Sequence, residues 1–585
     1  MSSVETHGSS PVSDQRKEAS SHAVVIDDLL EQEVGPCGLW QWSLVVLGML
    51  STSAATTFPV FSDTVPLRRC RMDDAVEEVF GKFNLNFSTI GKLIGGWTRD
   101  EDMRLLSSGC RRFNATWDDD FVRDLIAGNA TYDGNQTVPC SNGYVYDYLE
   151  FQYHGGIATD FDMVCDRVGF ISTGTSIVMV GMILGLGLGG AIGTKYGLKK
   201  SLIIFTSIEL IASALCCLSN SFWLYTFFRF MICFGAYGKL GTFNVILLDI
   251  TTPTYRSLVN AFYLIGFNFV SRALLALYAY LLTEWRWLSL LEAIHSLFVI
   301  SYFFVVPESP RWELSKGHPI KALKILILAR RVNMMWPKGV NSDSEKLTLL
   351  LKKAQLERDE NNSTGVSSNK VMSSTTSVST WYVIKTTFVG TVLFTAFSFV
   401  FLGLLLYTRL IKQPVYLTSA ITSIVSLPGA FVAVVLYRFI HSRKLPVLFT
   451  YLISGVITLV GGIYTYVVQP EGDLPLTVSV ILCTMLCVAI QSMLFIYLPE
   501  LYPPSIRSSG FGFCAGVGRV GAVIAEIVNN LDYTVKHGSP ALIYGAVFVV
   551  CALLLVLLPD TTGAETDTNS KECERGENNE NITRC

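Results

Sequence analysis

Twelve apolar stretches constrain the fold of this chain more than any other feature of its sequence. A segment needs about 20 predominantly apolar residues to cross roughly 30 Å of hydrocarbon. The 585-residue chain is 50% hydrophobic and only 16% charged, whereas soluble domains average about 25% charged residues. The sequence therefore predicts an all-α polytopic membrane protein. Spans 1 to 6 are predicted at 39–60, 169–192, 201–219, 222–248, 257–282 and 287–306, and spans 7 to 12 at 382–405, 415–437, 446–468, 475–497, 510–531 and 541–558. Glycines are expected to interrupt spans 4 and 11.

Basic residues in the short loops set the predicted orientation. Lys195 lies between spans 2 and 3, and Arg438 lies between spans 8 and 9. By the positive-inside rule both loops are cytoplasmic, and so are both termini. The predicted order is a cytoplasmic tail at 1–38, a six-helix half at 39–306, a cytoplasmic loop at 307–380, a second six-helix half at 381–559 and a cytoplasmic tail at 560–585.

The loop at 62–168 has the composition of an extracellular segment. Glycosylation sequons begin at Asn86, Asn114, Asn129 and Asn135, and such sites are modified on the lumenal side. The same loop holds Cys70, Cys110, Cys140 and Cys165. An oxidising compartment would pair these cysteines, although four cysteines allow three connectivities. The predicted location is the plasma membrane.

A repeated motif relates the two groups of six spans. LLDITTPTYRS at 247–257 and LPELYPPSIRS at 498–508 each follow the fourth span of a group. Each has an acid and, seven residues later, an arginine, namely Asp249 with Arg256 and Glu500 with Arg507. A six-helix unit used twice in one orientation is the architecture of major facilitator transporters. We expect these four residues, with Lys195 and Arg438, to act at the cytoplasmic gate.

Several motifs resemble the organic cation, anion and zwitterion transporters of the major facilitator superfamily. VPESPRWEL at 306–314 is similar to that family's signature after the sixth span. TDFDMVCDR at 159–167, EWRW at 284–287, ELYPPSIRSSGFG at 500–512 and LPDTTG at 558–563 resemble other conserved family segments. The resemblance covers about residues 36–563 and implies a twelve-span carrier that works by alternating access.

Two gating loops depart from the family pattern. The family's loop between spans 2 and 3 usually carries an aspartate where this chain has Thr194, and an arginine where it has Leu198. In the second half, Tyr437 occupies the position of the usual aspartate. The departures keep open a second class of function, a non-transporting receptor or binding protein on a transporter fold.

Arg519 is the strongest candidate for a substrate-binding residue. It interrupts the apolar run FGFCAGVGRVGAVIAEIV at 511–528, and ionisable groups inside spans are costly and functional by default. It resembles the family position in span 11 where anion and zwitterion carriers have arginine and cation carriers have aspartate. Ser426 stands where the family usually has an acid. Both positions favour a zwitterionic, carnitine-like, or anionic substrate over a cation.

Other charged residues in the spans are weaker candidates. Glu526 lies two helical turns from Arg519, on the same face about 10 Å away, where it would suit the opposite pole of a zwitterion or a proton. Lys239 in span 4 and Arg272 in span 5 could line the cavity. Glu209 in span 3 is predicted to be a structural partner of one of these cations.

Aromatic and amide side chains complete the predicted site. Phe394 and Phe401 in span 7 fall where cation-carrying relatives place aromatic residues, and Gln491 matches a polar family position in span 10. The GLGLGG run at 185–190 is interpreted as close helix packing rather than a nucleotide loop.

The sequence therefore predicts a transporter of small organic ions, with an organic cation carrier as the alternative within the same class. We expect no enzymatic activity, cofactor, metal site or nucleic-acid partner. The expected partners are the organic ion, membrane lipid and either a coupling ion or an exchanged counter-substrate.

Overall fold

Long apolar helices make up most of the computed structural model. The described residues are 26–95, 109–115, 117–127, 129, 136–148, 152–334, 345–350, 352–353, 380–408, 415–440, 442–469, 474–502, 507–529 and 531–558. Within these ranges, nine helices are long and apolar enough to cross a membrane, and Leu39–Leu50 and Ser539–Leu555 are shorter apolar helices. One continuous hydrophobic core runs through both predicted halves.

The predicted spans of the first half correspond to helices, three of them interrupted. Span 1 is helical at Leu39–Leu50 and Pro59–Ser62 with a non-helical stretch between them, span 5 contains a π-helical segment, and span 6 breaks at 297–298. Span 4 is continuous although the sequence suggested that its glycines interrupt it. The helices are Val168–Tyr196, Leu198–Cys216, Phe222–Asp249, Arg256–Ile265, Gly266–Val270 (π), Ser271–Leu281, Trp285–Ser296 and Val299–Phe304, followed by Pro310–Ser315 and Pro319–Met334; π-helical Leu30–Val34 precedes span 1.

Four helices of the second half run for 25 residues or more, and span 11 contains a break. Span 11 is interrupted, as its glycines suggested, and the break falls at Gly518 and Arg519. The helices are Thr380–Tyr407, Val415–Phe439, Lys444–Val468, Leu474–Glu500, Arg507–Val517, Val520–Asn529, Leu531–Thr534 and Ser539–Leu555.

The outer loop folds around its own small core. Strand Leu67–Cys70 pairs antiparallel with Tyr144–Asp147, and Arg111–Phe113 pairs with Thr137–Pro139. Short helices at Asp74–Lys82, Phe87–Ile94, Asp119–Ile126 and Ile157–Asp160, with a 3₁₀ turn at Cys165–Arg167, complete the loop. A separate cluster of buried side chains, including Val79 and Trp117, fills its centre.

Two disulfides close this outer-loop domain. The structure selects one of the three connectivities that the sequence left open, Cys70–Cys140 and Cys110–Cys165. The side chains of Asn86, Asn114 and Asn129 are exposed, as a glycan requires. Asn135, the fourth predicted acceptor, lies outside the described residues.

Glycines of the GLGLGG run let span 2 pack against two neighbours. A Cβ on Gly185 would lie 2.2 Å from the Phe234 carbonyl oxygen in span 4. A Cβ on Gly516 in span 11 would lie 3.1 Å from the Gly187 nitrogen. Only glycine permits this backbone approach, so the interpretation of the run as a packing surface is confirmed.

Candidate functional site

Three backbone irregularities meet near the middle of the helix bundle. They are the non-helical stretch of span 1 after Leu50, the π-helical segment Gly266–Val270 in span 5 and the break at Arg519 in span 11. Irregular backbone at membrane depth is stable only where protein buries it or where it borders a cavity. Discontinuous helices of this kind form the substrate sites of many transporters, and their convergence locates the candidate site.

A small cavity lies between the irregular part of span 1, span 5 and span 7. Spans 1 and 5 belong to the first half of the chain and span 7 to the second, so the cavity lies at the junction of the halves. Two predicted site residues, Arg272 and Phe401, share its wall. The lining side chains are Ser53, Ala54, Thr56, Thr57, Phe267, Asn268, Arg272, Phe401 and Leu405.

Arg519 lies one aromatic layer from this cavity. Its guanidinium carbon is 5.1 Å from the ring centre of Tyr237 and 5.7 Å from that of Phe397. Each of these rings contacts a ring of the cavity wall: Tyr237 contacts Phe267 at 5.8 Å, and Phe397 stacks on Phe401 at 5.4 Å. Arg519 is 1% exposed. Its Nε and Nη2 atoms have no hydrogen-bond partner among the described atoms.

Glycines beside Arg519 bring span 11 against span 7. A Cβ on Gly518 would lie 2.4 Å from the Cβ of Phe394, and one on Gly521 would lie 2.1 Å from the Thr395 carbonyl oxygen. The Arg519 N–H donates to the Gly516 carbonyl at 3.0 Å, three residues back, which tightens the turn at the break. The backbone therefore holds the arginine where two helices are nearest each other.

Arg272 is a second buried arginine without a carboxylate partner among the described side chains. Its Nη2 donates to the Thr422 hydroxyl of span 8 at 3.0 Å, and its Nη1 donates to the Asn268 carbonyl at 3.4 Å. Its Nε has no partner among the described atoms. Arg272 therefore contributes positive charge to the cavity wall while joining the two halves.

Two other described cations buried within the spans of the first half are paired with glutamates. Lys239 binds Glu209 at 2.6 Å and donates to the Ser51 carbonyl at 2.5 Å. This confirms the prediction that Glu209 is a structural partner. Arg229 binds Glu292 at 2.9 Å. Lys239 itself, predicted to line the cavity, is not among the cavity's lining residues.

Charge at the centre of the bundle is consequently unbalanced. Among the described side chains buried within the spans, two arginines have carboxylate-free surroundings and both glutamates are already paired. Leaving a buried charge uncompensated costs several kcal/mol. An anionic group beside these two arginines would remove that cost.

Gln491 and Asn268 join the halves beside the cavity. The Asn268 side-chain NH₂ donates to the Gln491 Oε1 at 3.0 Å. Gln491, a predicted substrate ligand, is fully buried, and its Nε2 has no partner among the described atoms. Gln491 does not itself line the cavity, but it contacts Asn268, which does.

Three further predicted site residues have other surroundings. Phe394 packs against Phe495 and Phe511 at 5.9 and 5.8 Å, two helical turns from Phe401, and does not line the cavity. The Ser426 hydroxyl donates to the Thr422 carbonyl at 2.9 Å, one turn below the partner of Arg272. The side chain of Glu526 lies outside what the structure describes.

On the predicted cytoplasmic side, the first repeat motif anchors the segment that follows span 6. The Ser309 hydroxyl donates to the Asp249 carboxylate at 2.6 Å, and Arg311 donates to the Asp249 carbonyl at 3.2 Å. Arg256 contacts Asp27 at 3.5 Å, and Arg311 binds the same carboxylate. Asp27 therefore supplies a carboxylate on the predicted cytoplasmic side. On that side, the loop between spans 2 and 3 has Thr194 at the position of the family's usual aspartate.

A glutamate of the VPESPRWEL segment holds the start of span 3. Glu308 accepts hydrogen bonds from the Leu198 and Lys199 backbone N–H groups at 2.8 and 3.1 Å. Burial raises the pKa of the Glu308 carboxyl, and these N–H groups oppose that rise. Glu308 therefore caps the helix whose preceding glycine, Gly197, has a left-handed φ of 111°.

The second repeat motif is described only in part. Glu500 lies 3.8 Å from Arg443, whose guanidinium also lies 5.0 Å from the ring centre of Tyr437. The side chain of Arg507 lies outside the described residues. Lys195 and Arg438 are each in the last turn of their helices, as a cytoplasmic helix end requires.

On the opposite side, beside the outer loop, aromatic side chains from both halves pack against one another. Tyr416 at the start of span 8 stacks on Phe61 at 6.1 Å and contacts Tyr153 and Tyr280 at 6.4 and 5.9 Å. The Tyr153 hydroxyl donates to the Leu282 carbonyl at 3.0 Å. The outer loop, through Tyr153, therefore contacts an aromatic cluster that joins the two halves.

Several site residues were missed by sequence reasoning. Tyr237, Phe267 and Phe397 are aromatic residues among many in the spans, and nothing in their spacing distinguishes them. Asn268 and Thr422 did carry a signal, because they are polar residues within apolar helices. Asp27 precedes the first span, where the sequence predicted only a polar tail.

The chain is similar to known transporters along most of its length. The family model described as "Sugar (and other) transporter" matches residues 142–568. Solute carrier family 22 member 6 of Oryctolagus cuniculus is 27% identical, with 92% of each chain covered. Solute carrier family 22 member 6-B of Xenopus laevis is 25% identical, with 88% of each covered. The organic cation transporter-like protein of Drosophila melanogaster is 26% identical, with 76% of each covered. The predicted family resemblance is confirmed.

Solved structures share the fold. The major facilitator proton:xylose symporter XylE, bound to 6-bromo-6-deoxy-D-glucose, superposes with a TM-score of 0.55 at 14% identity, covering 90% of this chain and 97% of that one. A partially occluded inward-open form of XylE from E. coli gives 0.53 at 14% identity, covering 90% and 99%. The predicted major facilitator fold of two six-helix halves is confirmed.

Proposed function

The chain belongs to the sugar (and other) transporter family, and we propose that it carries small organic ions across the plasma membrane by alternating access. The preferred substrates are carboxylate-bearing anions or zwitterions. Two six-helix halves rock about the central cavity, and the substrate undergoes no chemical change. Both relatives named as members of solute carrier family 22 and the fold support a carrier of this general kind.

The uncompensated positive charge beside the cavity carries the proposal. Arg519 and Arg272 are buried without a carboxylate partner among the described side chains. A substrate carboxylate would supply the missing charge, and an Arg–carboxylate contact is charge-assisted and can be bidentate. Aromatic rings on the cavity wall, Phe267 and Phe401, would cover the flat apolar part of such a substrate.

Contacts on both sides of the cavity support alternating access. The glycine packing of spans 2 and 11 closes the predicted cytoplasmic side, and the rings around Tyr416 close the outer side. Each closure is built from contacts between the two halves. If the contacts on one side separate while those on the other side remain, the cavity opens to one side at a time.

An organic cation carrier and a receptor are the alternative proposals. A cation site needs an unpaired carboxylate, and both described glutamates buried in the spans, Glu209 and Glu292, already bind cations. The receptor alternative rests on Thr194 and Tyr437 at the gate. Asp27 weakens it, because its carboxylate binds gate-side arginines.

The orientation and any coupling partner are part of the same proposal. Both termini are cytoplasmic and the loop at 62–168 is outside, which is consistent with its disulfides and exposed sequon asparagines. Transport is driven by a coupling ion or by exchange with a second organic ion.

Competitive uptake of a carboxylate and an ammonium substrate tests the proposal. We expect cells expressing the protein to take up phenylacetate in preference to tetraethylammonium. Arg519→Ala should raise the half-saturation concentration for the carboxylate roughly ten- to hundredfold, since a hydrogen bond to a charged group contributes about 1.5–3 kcal/mol. Arg519→Lys keeps the charge but loses the planar fork, so its defect should be intermediate.

Two further variants complete the experiment. Arg519→Asp combined with Ser426→Glu should shift the preference towards tetraethylammonium. Lys385→Ala, which changes an exposed cation, is the control for a general loss of positive charge. Unchanged carboxylate uptake by Arg519→Ala would make this arginine a structural anchor. Surface-expressed protein that takes up neither substrate class would favour the receptor.

A further inference from the structure

The π-helical segment of span 5 aligns polar side chains along the junction of the halves. Asn260 and Asn268 are eight residues apart, which in a regular α-helix turns them about 80° from each other. A π-turn accommodates one extra residue, and Gly266–Val270 is π-helical. The two asparagines are therefore nearly in phase, and both contact span 10, at Ser492 and Gln491. Arg272 follows Asn268 by one turn on the same face.

The hydrogen bond between Asn268 and Gln491 fixes the orientation of both amides. Because the Asn268 NH₂ donates to the Gln491 Oε1, the Asn268 Oδ1 and the Gln491 Nε2 face other directions. Neither atom has a hydrogen-bond partner among the described atoms, and both side chains are fully buried. The hydrogen-bonded pair thus has one acceptor and one donor without a described partner.

The two amide atoms without partners raise the free energy of the protein when no ligand is bound. A buried polar group without a partner is destabilising, and polar groups inside a protein are rarely left unsatisfied without a functional reason. Asn268 lines the cavity next to Arg272, so a molecule in the cavity lies against one member of the pair, and Gln491 is directly behind it.

We propose that Asn268 and Gln491 form a subsite for a hydroxyl group of the substrate, next to the carboxylate position. A hydroxyl donates its proton to the Asn268 Oδ1 and accepts from the Gln491 Nε2, which satisfies both free atoms at once. The preferred substrates are then hydroxy acids with an aromatic or apolar body. This inference rests on the proposed function and goes beyond it by assigning the group that distinguishes one carboxylate from another.

Uptake of two size-matched carboxylates tests the subsite. Mandelate carries a hydroxyl where 2-phenylpropionate carries a methyl group, and both have the same ring and carboxylate. We expect wild-type protein to prefer mandelate by about tenfold or more, because a site built to bind a hydroxyl discriminates strongly against an analogue that lacks it. Asn268→Leu should bring the ratio of the two uptake rates close to one.

Asn244→Leu is a matched control. Asn244 is also a buried asparagine in a span, and neither of its amide atoms has a partner among the described atoms, but it does not line the cavity. Its variant should keep the wild-type ratio. Gln491→Met, which removes the donor, should lower the ratio as Asn268→Leu does and replaces that variant if it fails to reach the cell surface.

The outcomes separate this inference from the proposed function. Uptake of neither carboxylate by surface-expressed wild-type protein overturns the proposed function. Equal uptake of mandelate and 2-phenylpropionate by the wild type leaves a carboxylate carrier but overturns the hydroxyl subsite, without any variant. A ratio that survives both Asn268→Leu and Gln491→Met also overturns it.

Discussion

At the scale of single residues, the buried cations of the spans are of two kinds. Lys239 and Arg229 each have a glutamate within 3 Å, whereas Arg272 and Arg519 have hydroxyl, carbonyl or aromatic neighbours. The first kind is already paired within the first half of the bundle, and we propose that the second kind binds the substrate. Lys239 was predicted to bind substrate, and its pairing with Glu209 favours a structural role instead.

A double-mutant experiment distinguishes the two roles of Lys239. Removing one partner of a buried ion pair costs about 3–5 kcal/mol, whereas replacing both by apolar residues is often neutral. We expect Lys239→Met to lower the melting temperature and surface expression, and Lys239→Met with Glu209→Leu to restore both, together with uptake. A double variant that folds normally but does not transport would assign Lys239 to the substrate after all.

The charged residues of the site could be predicted from the sequence better than its aromatic residues. Arg519 could be proposed from the sequence because a lone charge in an apolar run is conspicuous, and its family position added the proposed charge class of the substrate. Glu209 was foreseen as the structural partner of a cation in the spans, but its pairing with Lys239 rather than Arg272 depends on how the helices pack and was not. Tyr237 and Phe397 could not be foreseen, because which aromatic residues surround a guanidinium depends on helix rotation that the apolar pattern leaves undetermined.

At the scale of elements, a short segment before span 1 packs against the predicted cytoplasmic face. Residues 26–34 bury Ile26, Leu30 and Val34 and present Asp27 to Arg311 and Arg256. The same segment binds Pro319–Met334 at its other end, through Glu33 and Arg330 at 3.4 Å. The sequence predicted a featureless tail here because the charges are scattered and the segment is too short to show a helical period.

Neutralising Asp27 should weaken the attachment of this segment to the rest of the cytoplasmic face. In Asp27→Asn two arginines lose their shared carboxylate, so the segment before span 1 should open more often. Cys37, half-buried just beyond it, should then react faster with a maleimide in detergent-solubilised protein, with labelling measured by peptide mass spectrometry. Asp28→Asn alters the exposed neighbouring residue and should label at the wild-type rate. Equal labelling rates in Asp27→Asn and wild type would show that Asp27 does not hold this segment in place.

At the scale of the whole molecule, twelve apolar stretches, a repeated motif and the outer loop were sufficient to predict the major facilitator fold. They did not predict the interruptions of spans 1, 5 and 6, because apolar composition alone does not distinguish a helix from an irregular segment buried in protein. Nor did they determine the disulfide pairing, which depends on how strands Leu67–Cys70 and Tyr144–Asp147 align.

Glycosylation tests the predicted orientation of the whole chain. Peptide N-glycosidase should reduce the apparent mass of the protein expressed in animal cells. Replacing Asn86, Asn114, Asn129 and Asn135 together by glutamine should abolish that reduction. A glycan on Asn361 or Asn362, in the predicted cytoplasmic loop, would reverse the orientation.

Under the proposed function, the two arginines without a described carboxylate partner should make reorientation of the empty carrier depend on the membrane potential. A unit charge that crosses the full membrane potential changes in energy by about 2.3 kcal/mol per 100 mV, so reorientation of an empty site that holds two such charges should depend on voltage. A bound monocarboxylate cancels one of them. Under voltage clamp we expect transient charge movements in the absence of substrate, which shrink when saturating carboxylate is added and are smaller in Arg519→Ala. Transients unaffected by both changes would mean that these arginines do not sense the membrane field.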